Sequence, residues 1–153
     1  MLYNSCAAIV SRLRGYGRAV EVGVGRRPAV AAGLAERGVE VVATDVRDRE
    51  VPPGVTFARE DVTDPDPTRY ERADVVYALH CPPELQRPLR DAARIGDADC
   101  FFTTLGTDPA VVPAEPETLD GTTLFRVRTN GPGPGNAGVG DAVRRGADWG
   151  GRS

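Results

Sequence analysis

The sequence contains no lysine, one histidine, one tryptophan and three cysteines among its 153 residues. Cys6, Cys81 and Cys100 are scattered, and no two of them form a Cys-x-x-Cys pair. This pattern excludes a disulfide framework and a tetrahedral zinc site. We therefore expect reduced thiols, no metal site and a cytoplasmic location.

Long apolar runs are also missing, since no stretch approaches the ~18 consecutive apolar residues that a membrane helix needs. Aromatic residues make up 6% of the chain, and the formal net charge is −3, with 19 basic residues, all of them arginine, against 22 acidic ones. This composition disfavours an anionic membrane or nucleic acid as a partner, because there is neither an excess of positive charge nor much aromatic surface for stacking bases. The length predicts a single domain.

What the chain does contain is a glycine-rich turn between two apolar segments. Residues 19–25 read Ala-Val-Glu-Val-Gly-Val-Gly, and residues 39–45 read Val-Glu-Val-Val-Ala-Thr-Asp. An apolar strand, a glycine turn, a helix and a second strand ending in an acid form a βαβ unit whose turn lies close to an adenosine-containing ligand. We therefore predict a nucleoside cofactor at Gly23 and Gly25.

The spacing of these glycines departs from the dinucleotide fingerprint. That fingerprint needs a third glycine three residues after the second, and this chain has Pro28 there. Glu21, two residues before the first glycine, would oppose an anion and attract a cation. The pattern thus favours S-adenosylmethionine, which carries a sulfonium and no phosphate. Arg26 and Arg27 keep a phosphate-containing nucleotide open as an alternative.

At these residues the chain resembles the Rossmann-like S-adenosylmethionine-dependent methyltransferases. Their first motif, an acid, any residue, Gly, any residue, Gly, is matched by Glu21, Gly23 and Gly25. More narrowly, the chain is similar to a small archaeal family of uncharacterised methyltransferase-like proteins. The resemblance covers about residues 1–130 and implies a glycine loop that wraps the methionine part of the cofactor.

The resemblance also implies two acids at the cofactor. An acid closing the second strand binds the ribose hydroxyls, and an acid after the third strand meets the adenine amino group. The matching positions are Asp45 and Asp61, with Val62 beside Asp61. Other acids in the same two segments are alternatives: Asp48, Glu60, Asp64 and Asp66.

Apolar periodicity along the rest of the chain predicts an α/β fold with a truncated, doubly wound, mostly parallel Rossmann-like sheet. The predicted strands cover residues 18–22, 39–44, 55–57, 73–79, 99–104 and 124–127, with a Pro-rich loop at 105–121. Helices are predicted at 3–14, from Pro28 to Gly38, and around Leu85 and Leu89, where Pro88 falls in the first turn or kinks the helix. Residues 1–130 form the predicted cofactor-binding domain, and the Gly/Pro-rich residues 131–153 predict a flexible tail.

A proline-rich turn follows the predicted strand at 73–79. Methyltransferases that modify amino nitrogens carry Asn or Asp, Pro, Pro and an aromatic residue there, whereas residues 81–84 of this chain read Cys-Pro-Pro-Glu. The resemblance therefore does not extend to that chemistry. Histidine is the side chain whose ordinary pKa suits proton transfer near neutrality, so His80 is the candidate catalytic residue, with a surface or capping role as the alternative.

The main functional hypothesis is that the chain binds S-adenosylmethionine, a small-molecule cofactor, and transfers its methyl group to an acceptor that the sequence does not identify. Two alternatives stay open. One is a Rossmann-like binding module without transfer activity, and the other is an NAD or nucleotide binder. The sequence predicts no oligomeric state.

Overall fold

The structure, a computed structural model, describes residues 4–128. The predicted domain boundary at residue 130 and the predicted tail at 131–153 lie outside these residues. Seven strands and four helices follow one another in the described part: α1 (Asn4–Leu13), β1 (Arg18–Val22), α2 (Ala29–Glu36), β2 (Glu40–Asp45), β3 (Val55–Arg59), α3 (Pro67–Glu71), β4 (Val75–Ala78), α4 (Pro83–Ile95), β5 (Asp99–Phe102), β6 (Ala114–Leu119) and β7 (Thr122–Val127).

The strands form one sheet in the order β3-β2-β1-β4-β5-β7-β6. The first five are parallel, and β7 and β6 add an antiparallel end. All four residues of β4 are buried, as expected for a parallel strand that is covered on both faces. The predicted Rossmann-like, mostly parallel α/β fold is therefore confirmed.

Two apolar cores lie on opposite faces of this sheet. Helices α1 and α2 cover one face through Ile9, Val10 and Leu34, and α4 covers the other through Leu89 and Ala92. Alternate residues of each strand enter one core or the other, because successive side chains of a strand point to opposite faces. The sheet is thus doubly wound, and its carboxyl edge is left free between the helices.

The structure corrects the sequence prediction at three places. Strand β6 lies inside the predicted loop at 105–121, where alternating exposure and Pro116 concealed an edge strand. The short helix α3, which Asp66 caps by accepting from the Thr68 N–H at 3.0 Å, was not predicted. Pro88 lies inside α4, beyond its first turn, so the first-turn placement was wrong.

Helix α1 is held against the antiparallel end of the sheet. The Arg12 guanidinium donates to both carboxylate oxygens of Glu117 on β6, at 2.7 and 3.2 Å, and lies over the Phe101 ring. Gly121, between β6 and β7, lies against Ser5, because an added methyl group would come within 3.4 Å of the Ser5 nitrogen. The helix and the β6–β7 hairpin therefore form one packed unit.

No helix within residues 4–128 is long and apolar enough to cross a lipid bilayer.

Candidate functional site

A cleft of about 1020 Å³ opens at the carboxyl edge of the sheet, where β1 and β4 are neighbours and their chain connections run in opposite directions. Ligands of open α/β sheets bind at such a switch point, and the volume is at the upper end of the ~300–1,000 Å³ typical of small-molecule sites. The side chains and loops that line it come from α1, the turn after β1, the start of α2 and the ends of β4 and β5; they include Ser5, Cys6, Ile9, Glu21, Gly23, Gly25, Arg26, Arg27, His80 and Thr103.

The two glycines of the turn adopt a backbone conformation that other residues avoid. Gly23 has φ +73° and Gly25 has φ +59°, both in the left-handed region, where a Cβ is unfavourable by about 1–2 kcal/mol. A Cβ built on either would meet no protein atom within 4 Å. The turn therefore leaves open space on its cleft side, where a ligand can approach the backbone.

Backbone N–H groups of this turn bond within the protein. Those of Gly23 and Val24 donate to the Thr44 carbonyl at 2.9 and 3.0 Å, and that of Gly25 donates to Asp45 Oδ2 at 2.9 Å. A phosphate-binding loop instead directs its N–H groups at the ligand. This turn is closed by β2 rather than arranged as an anion cradle.

Asp45 closes the glycine turn. Besides Gly25, its carboxylate accepts from the Arg47 N–H at 3.0 Å and pairs with Arg49 at 3.4 Å. Partial burial raises the pKa of Asp45, but the hydrogen bonds from Arg47 and Gly25 and the Arg49 charge outweigh it, so the net shift is downward. The predicted ribose-binding acid thus lies directly behind the glycine turn.

Glu21 lies at the floor of the cleft and is 1% exposed. The hydroxyl of Tyr77, the register neighbour of Glu21 on β4, donates to its Oε1 at 2.7 Å. Burial raises the pKa of Glu21 to about 8, and the Tyr77 hydrogen bond lowers it by less. In the free chain this acid is therefore mainly neutral near pH 7, which the sequence did not indicate.

Asp61 and Val62 do not line the cleft. Asp61 is exposed, and its carboxylate accepts from the Thr63 N–H at 2.9 Å and the Thr63 hydroxyl at 2.7 Å. These bonds, the backbone one first, lower the pKa of Asp61. Val62 is buried in the core on the α4 face. Asp45 nevertheless ends β2, and Asp61 lies just after the neighbouring β3 at the same sheet edge, so the adenine role of Asp61 stays a prediction.

The segment after β4 is attached to the end of β5. His80 is exposed at the cleft with φ +52°, and its N–H donates to Thr103 Oγ1 at 2.8 Å. The Cys81 N–H donates to the Thr103 carbonyl at 2.7 Å. Strained non-glycine conformations of this kind cluster at functional sites. The sequence prediction placed Thr103 inside the strand at 99–104, whereas β5 ends at Phe102 and leaves Thr103 at the ligand edge.

Cys81 is buried, and burial raises the pKa of its thiol to about 12, with the Glu84 charge adding to the effect. A thiol in that state is not a nucleophile near neutrality. Glu84 lies in the first turn of α4, where a negative charge favours the helix dipole. Of the sequence candidates, the structure therefore brings together Glu21, Gly23, Gly25 and His80 in one cleft, with Asp45 behind the turn.

Two solved structures share this architecture. The chain aligns with the N-terminal domain of EvdMO1, crystallised in the presence of S-adenosylhomocysteine and D-fucose, at a TM-score of 0.51 and 22% identity, over 65% of this chain and only 48% of that one. A TehB-like S-adenosylmethionine-dependent methyltransferase from Corynebacterium glutamicum gives a TM-score of 0.51 and 15% identity, over 83% of this chain and 87% of that one. The chain thus shares the Rossmann-like fold of these two proteins.

The family is defined by sequence. The model described as Uncharacterised protein family (UPF0146) matches residues 3–128. A UPF0146 protein of the archaeon Halobacterium salinarum is 52% identical over 121 residues, which cover 78% of this chain and 94% of that protein. The chain belongs to the UPF0146 family, and the predicted resemblance to a small uncharacterised archaeal family is confirmed.

Proposed function

We propose that this chain binds S-adenosylmethionine in the cleft at the ends of β1 and β4. The observation that carries the proposal is the chemistry of the cleft floor. A buried carboxyl, Glu21, faces it, while the N–H groups of the glycine turn donate to Thr44 and Asp45. Such a floor suits a positively charged adenosine compound without phosphate.

The residues around the floor fit the remaining parts of this cofactor. Gly23 and Gly25 leave room for the methionine chain, and Arg26 and Arg27 line the same cleft, where they can pair with the cofactor's carboxylate. The resemblance assigns the ribose hydroxyls to Asp45, which is already ionised near neutrality. The C. glutamicum protein that shares this fold is described as an S-adenosylmethionine-dependent methyltransferase, which supports S-adenosylmethionine as the ligand.

The chemistry proposed is transfer of a methyl group to an acceptor that we do not identify. S-adenosylmethionine supplies an electrophilic methyl group when bound. The chain's own contribution is then to orient the two reactants, which by itself lowers the barrier substantially. His80, on the cleft wall and held by Thr103, is the residue proposed to take a proton from the acceptor.

Calorimetry with the purified chain tests cofactor binding. We expect S-adenosylmethionine and S-adenosylhomocysteine to bind one site per chain, and Gly25→Val to abolish binding because its side chain fills the cleft side of the turn. Gly38→Val is the matched control, since Gly38 also has a positive φ (+89°) and open space but does not line the cleft. Absence of heat with a folded wild-type chain would refute the proposal.

Arg26 and Arg27 favour a second candidate, an NAD or nucleotide binder. The same calorimetry with NAD and ATP separates the two, since a phosphate ligand should bind alone or displace S-adenosylmethionine. We expect neither, because the N–H groups of Gly23, Val24 and Gly25 already donate to Thr44 and Asp45. A phosphate compound that binds more tightly than S-adenosylmethionine would reverse this ranking.

The departure at residues 81–84 favours a third candidate, a binding module without transfer activity. Incubation with S-adenosylmethionine labelled on its methyl group and an extract of acceptors distinguishes it from an enzyme. Label that moves to another compound with the wild-type chain, and about a hundredfold less with His80→Ala, supports transfer and the base role. Binding without any transfer would leave the module as the function.

A further inference from the structure

The floor of the cleft contains a glutamate–tyrosine pair, Glu21 and Tyr77, and the sequence motif reveals the glutamate but not the tyrosine. Tyr77 is fully buried on β4, beside Glu21 in the parallel register, and donates to Glu21 Oε1 at 2.7 Å. Within residues 4–128, this hydroxyl is the hydrogen-bond partner of the Glu21 side chain, and no arginine forms an ion pair with it. The carboxyl is thus held in place by one neutral donor.

We propose that Tyr77 is a positioning residue for Glu21, and that this pair selects ligands that carry positive charge by releasing the Glu21 proton when such a ligand binds. The inference rests on the proposed function, which supplies S-adenosylmethionine as the cation. In the free chain, the Glu21 O–H bond is intact. On binding, that bond breaks, its proton passes to the buffer, and the carboxylate that is left still accepts from Tyr77.

Glu21 is expected to release its proton to a cation because it is buried without an opposite charge beside it. Burial raises the pKa of Glu21 to about 8, so the neutral acid predominates until a cation arrives. Burial and the neighbouring Glu21 raise the pKa of Tyr77 well above its ordinary value, so its hydroxyl keeps its proton and stays a donor. A cation stabilises a carboxylate more strongly in such a dry site than in water.

Other groups around the pair do not replace this role. The neighbouring positions on the same sheet face, Ala43 of β2 and Phe101 of β5, carry no charge. The remaining titratable side chains that line the cleft come from α1, the glycine turn and the segment after β4: Cys6, Arg26, Arg27 and His80. Within residues 4–128, none of these side chains forms a hydrogen bond or ion pair with Glu21, so Glu21 is the group whose charge changes at the cleft floor.

The ligand pair offers an internal control. S-adenosylmethionine and S-adenosylhomocysteine share the adenosine, amino and carboxylate groups and differ in the sulfonium. Titration of the shared groups therefore cancels when the two are compared. The proposal predicts that the product, having lost the sulfonium charge, releases less proton on binding, so the preference for S-adenosylmethionine over the product grows as the pH rises toward about 8.

Calorimetry in two buffers of different ionisation enthalpy measures the proton directly. At about pH 6.5 we expect nearly one proton released per S-adenosylmethionine bound, clearly fewer for S-adenosylhomocysteine, and an affinity that strengthens by up to about tenfold per pH unit until about pH 8. Glu21→Gln should abolish the release and flatten the pH profile. Circular dichroism checks that each variant is folded.

Tyr77→Phe tests the positioning role. Loss of the donor should raise the pH at which binding levels off and weaken S-adenosylmethionine binding near pH 7 by about tenfold, with less effect at high pH. Tyr70→Phe is the matched control, because it removes the same hydroxyl from a buried tyrosine that donates to Glu60 on the other sheet face. A merely structural role would make the two variants alike in stability and leave both pH profiles at the wild-type position.

The outcomes separate the two proposals. Binding with no proton release, or with equal release for both ligands, would overturn the charge selection while leaving cofactor binding intact. A Tyr77→Phe profile that coincides with wild type would overturn the positioning role. No binding of either ligand to the folded chain at any pH would instead refute the proposed function, and this inference with it.

Discussion

Two glutamate–tyrosine pairs lie in the separate cores on opposite faces of the sheet, and they differ in the number of donors at the carboxyl. Glu60 accepts from the Tyr70 hydroxyl at 2.8 Å, the Arg69 guanidinium at 2.6 Å and the Asp66 N–H at 2.6 Å. Glu21 accepts from Tyr77 alone within the described part of the chain. The first carboxyl has an opposite charge beside it, and the second has none.

The difference indicates what each pair does. A carboxyl enclosed by three donors, one of them an arginine, connects β3, α3 and the loop between them, and belongs to the scaffold. A carboxyl with one neutral donor at the floor of a cleft has acceptor capacity left for a ligand. Motif matching alone does not separate these roles; the donors supplied by neighbouring elements do.

Breaking the Glu60 pair should have the largest effect. Glu60→Gln places an amide against Arg69 and is expected to lower the free energy of unfolding by about 3 kcal/mol, because the largely buried guanidinium then keeps only its 4.0 Å contact with the exposed Asp66. Urea denaturation near pH 6 measures this. Glu21→Gln at the same pH is the matched control and should not lower the free energy of unfolding, because the folded wild type must take up a proton at Glu21 that the amide does not need. Equal losses in the two variants would contradict the comparison.

The second largest difference between the two pairs should be in the pH dependence of stability. Burial raises the folded-state pKa of Glu21 from 4.5 to about 8, so between these values the folded chain holds a proton that the unfolded chain has lost. Stability should therefore fall with rising pH by about 1.4 kcal/mol per unit, or about 2 kcal/mol between about pH 6 and 7.5. The difference between wild type and Glu21→Gln isolates this slope. A difference that does not vary with pH would show that Glu21 is ionised in the free chain.

Alanine at two glycines gives a smaller effect that separates stability from binding. Gly25→Ala and Gly38→Ala each place a Cβ at positive φ with open space around it, so each should cost about 1 kcal/mol of unfolding free energy. Gly25→Ala alone should also weaken S-adenosylmethionine binding in calorimetry. Weakened binding in both variants would mean that the loss follows stability rather than the cleft.

The Arg18–Glu40 ion pair is an exposed reference for the two buried glutamates. These side chains meet at 3.3 Å with 46% and 63% of their surface exposed. Glu40→Gln should lower the free energy of unfolding by less than about 0.5 kcal/mol, since water screens the pair. Denaturation at low and high salt checks it, and a loss near that of Glu60→Gln would mean that burial is not what distinguishes the carboxyls.

Much of the parallel part of the fold could be predicted from sequence because it is local. Each of three apolar runs predicts a strand without reference to the rest of the chain: the run before Gly23, the run ending at Asp45 and the buried run at 75–78. Strand β6 could not be predicted in the same way. Its residues are half exposed and include Pro116, and its strand character comes from pairing with β7.

The candidate site, too, could be predicted only where its residues lie close together in the sequence. Glu21, Gly23 and Gly25 share one short motif, but the Tyr77 partner lies 56 positions away and meets Glu21 only through the register of β1 and β4. The bond from the Gly25 N–H to Asp45 likewise depends on the pairing of β1 with β2. Protonation of Glu21 follows from burial, which no local pattern reports. The binding roles of Asp45, Asp61 and Val62 stay predictions.

Helix α1 connects the cleft to the far end of the sheet. Ser5 and Ile9 of this helix line the cleft wall, and Arg12 near its end is tied to β6 by a bidentate ion pair with Glu117. Any outward swing of this wall must stretch that pair, so ligand entry and exit rates should quicken when Glu117 is neutralised or salt is raised. An edge strand that never meets the ligand would thereby govern its residence time.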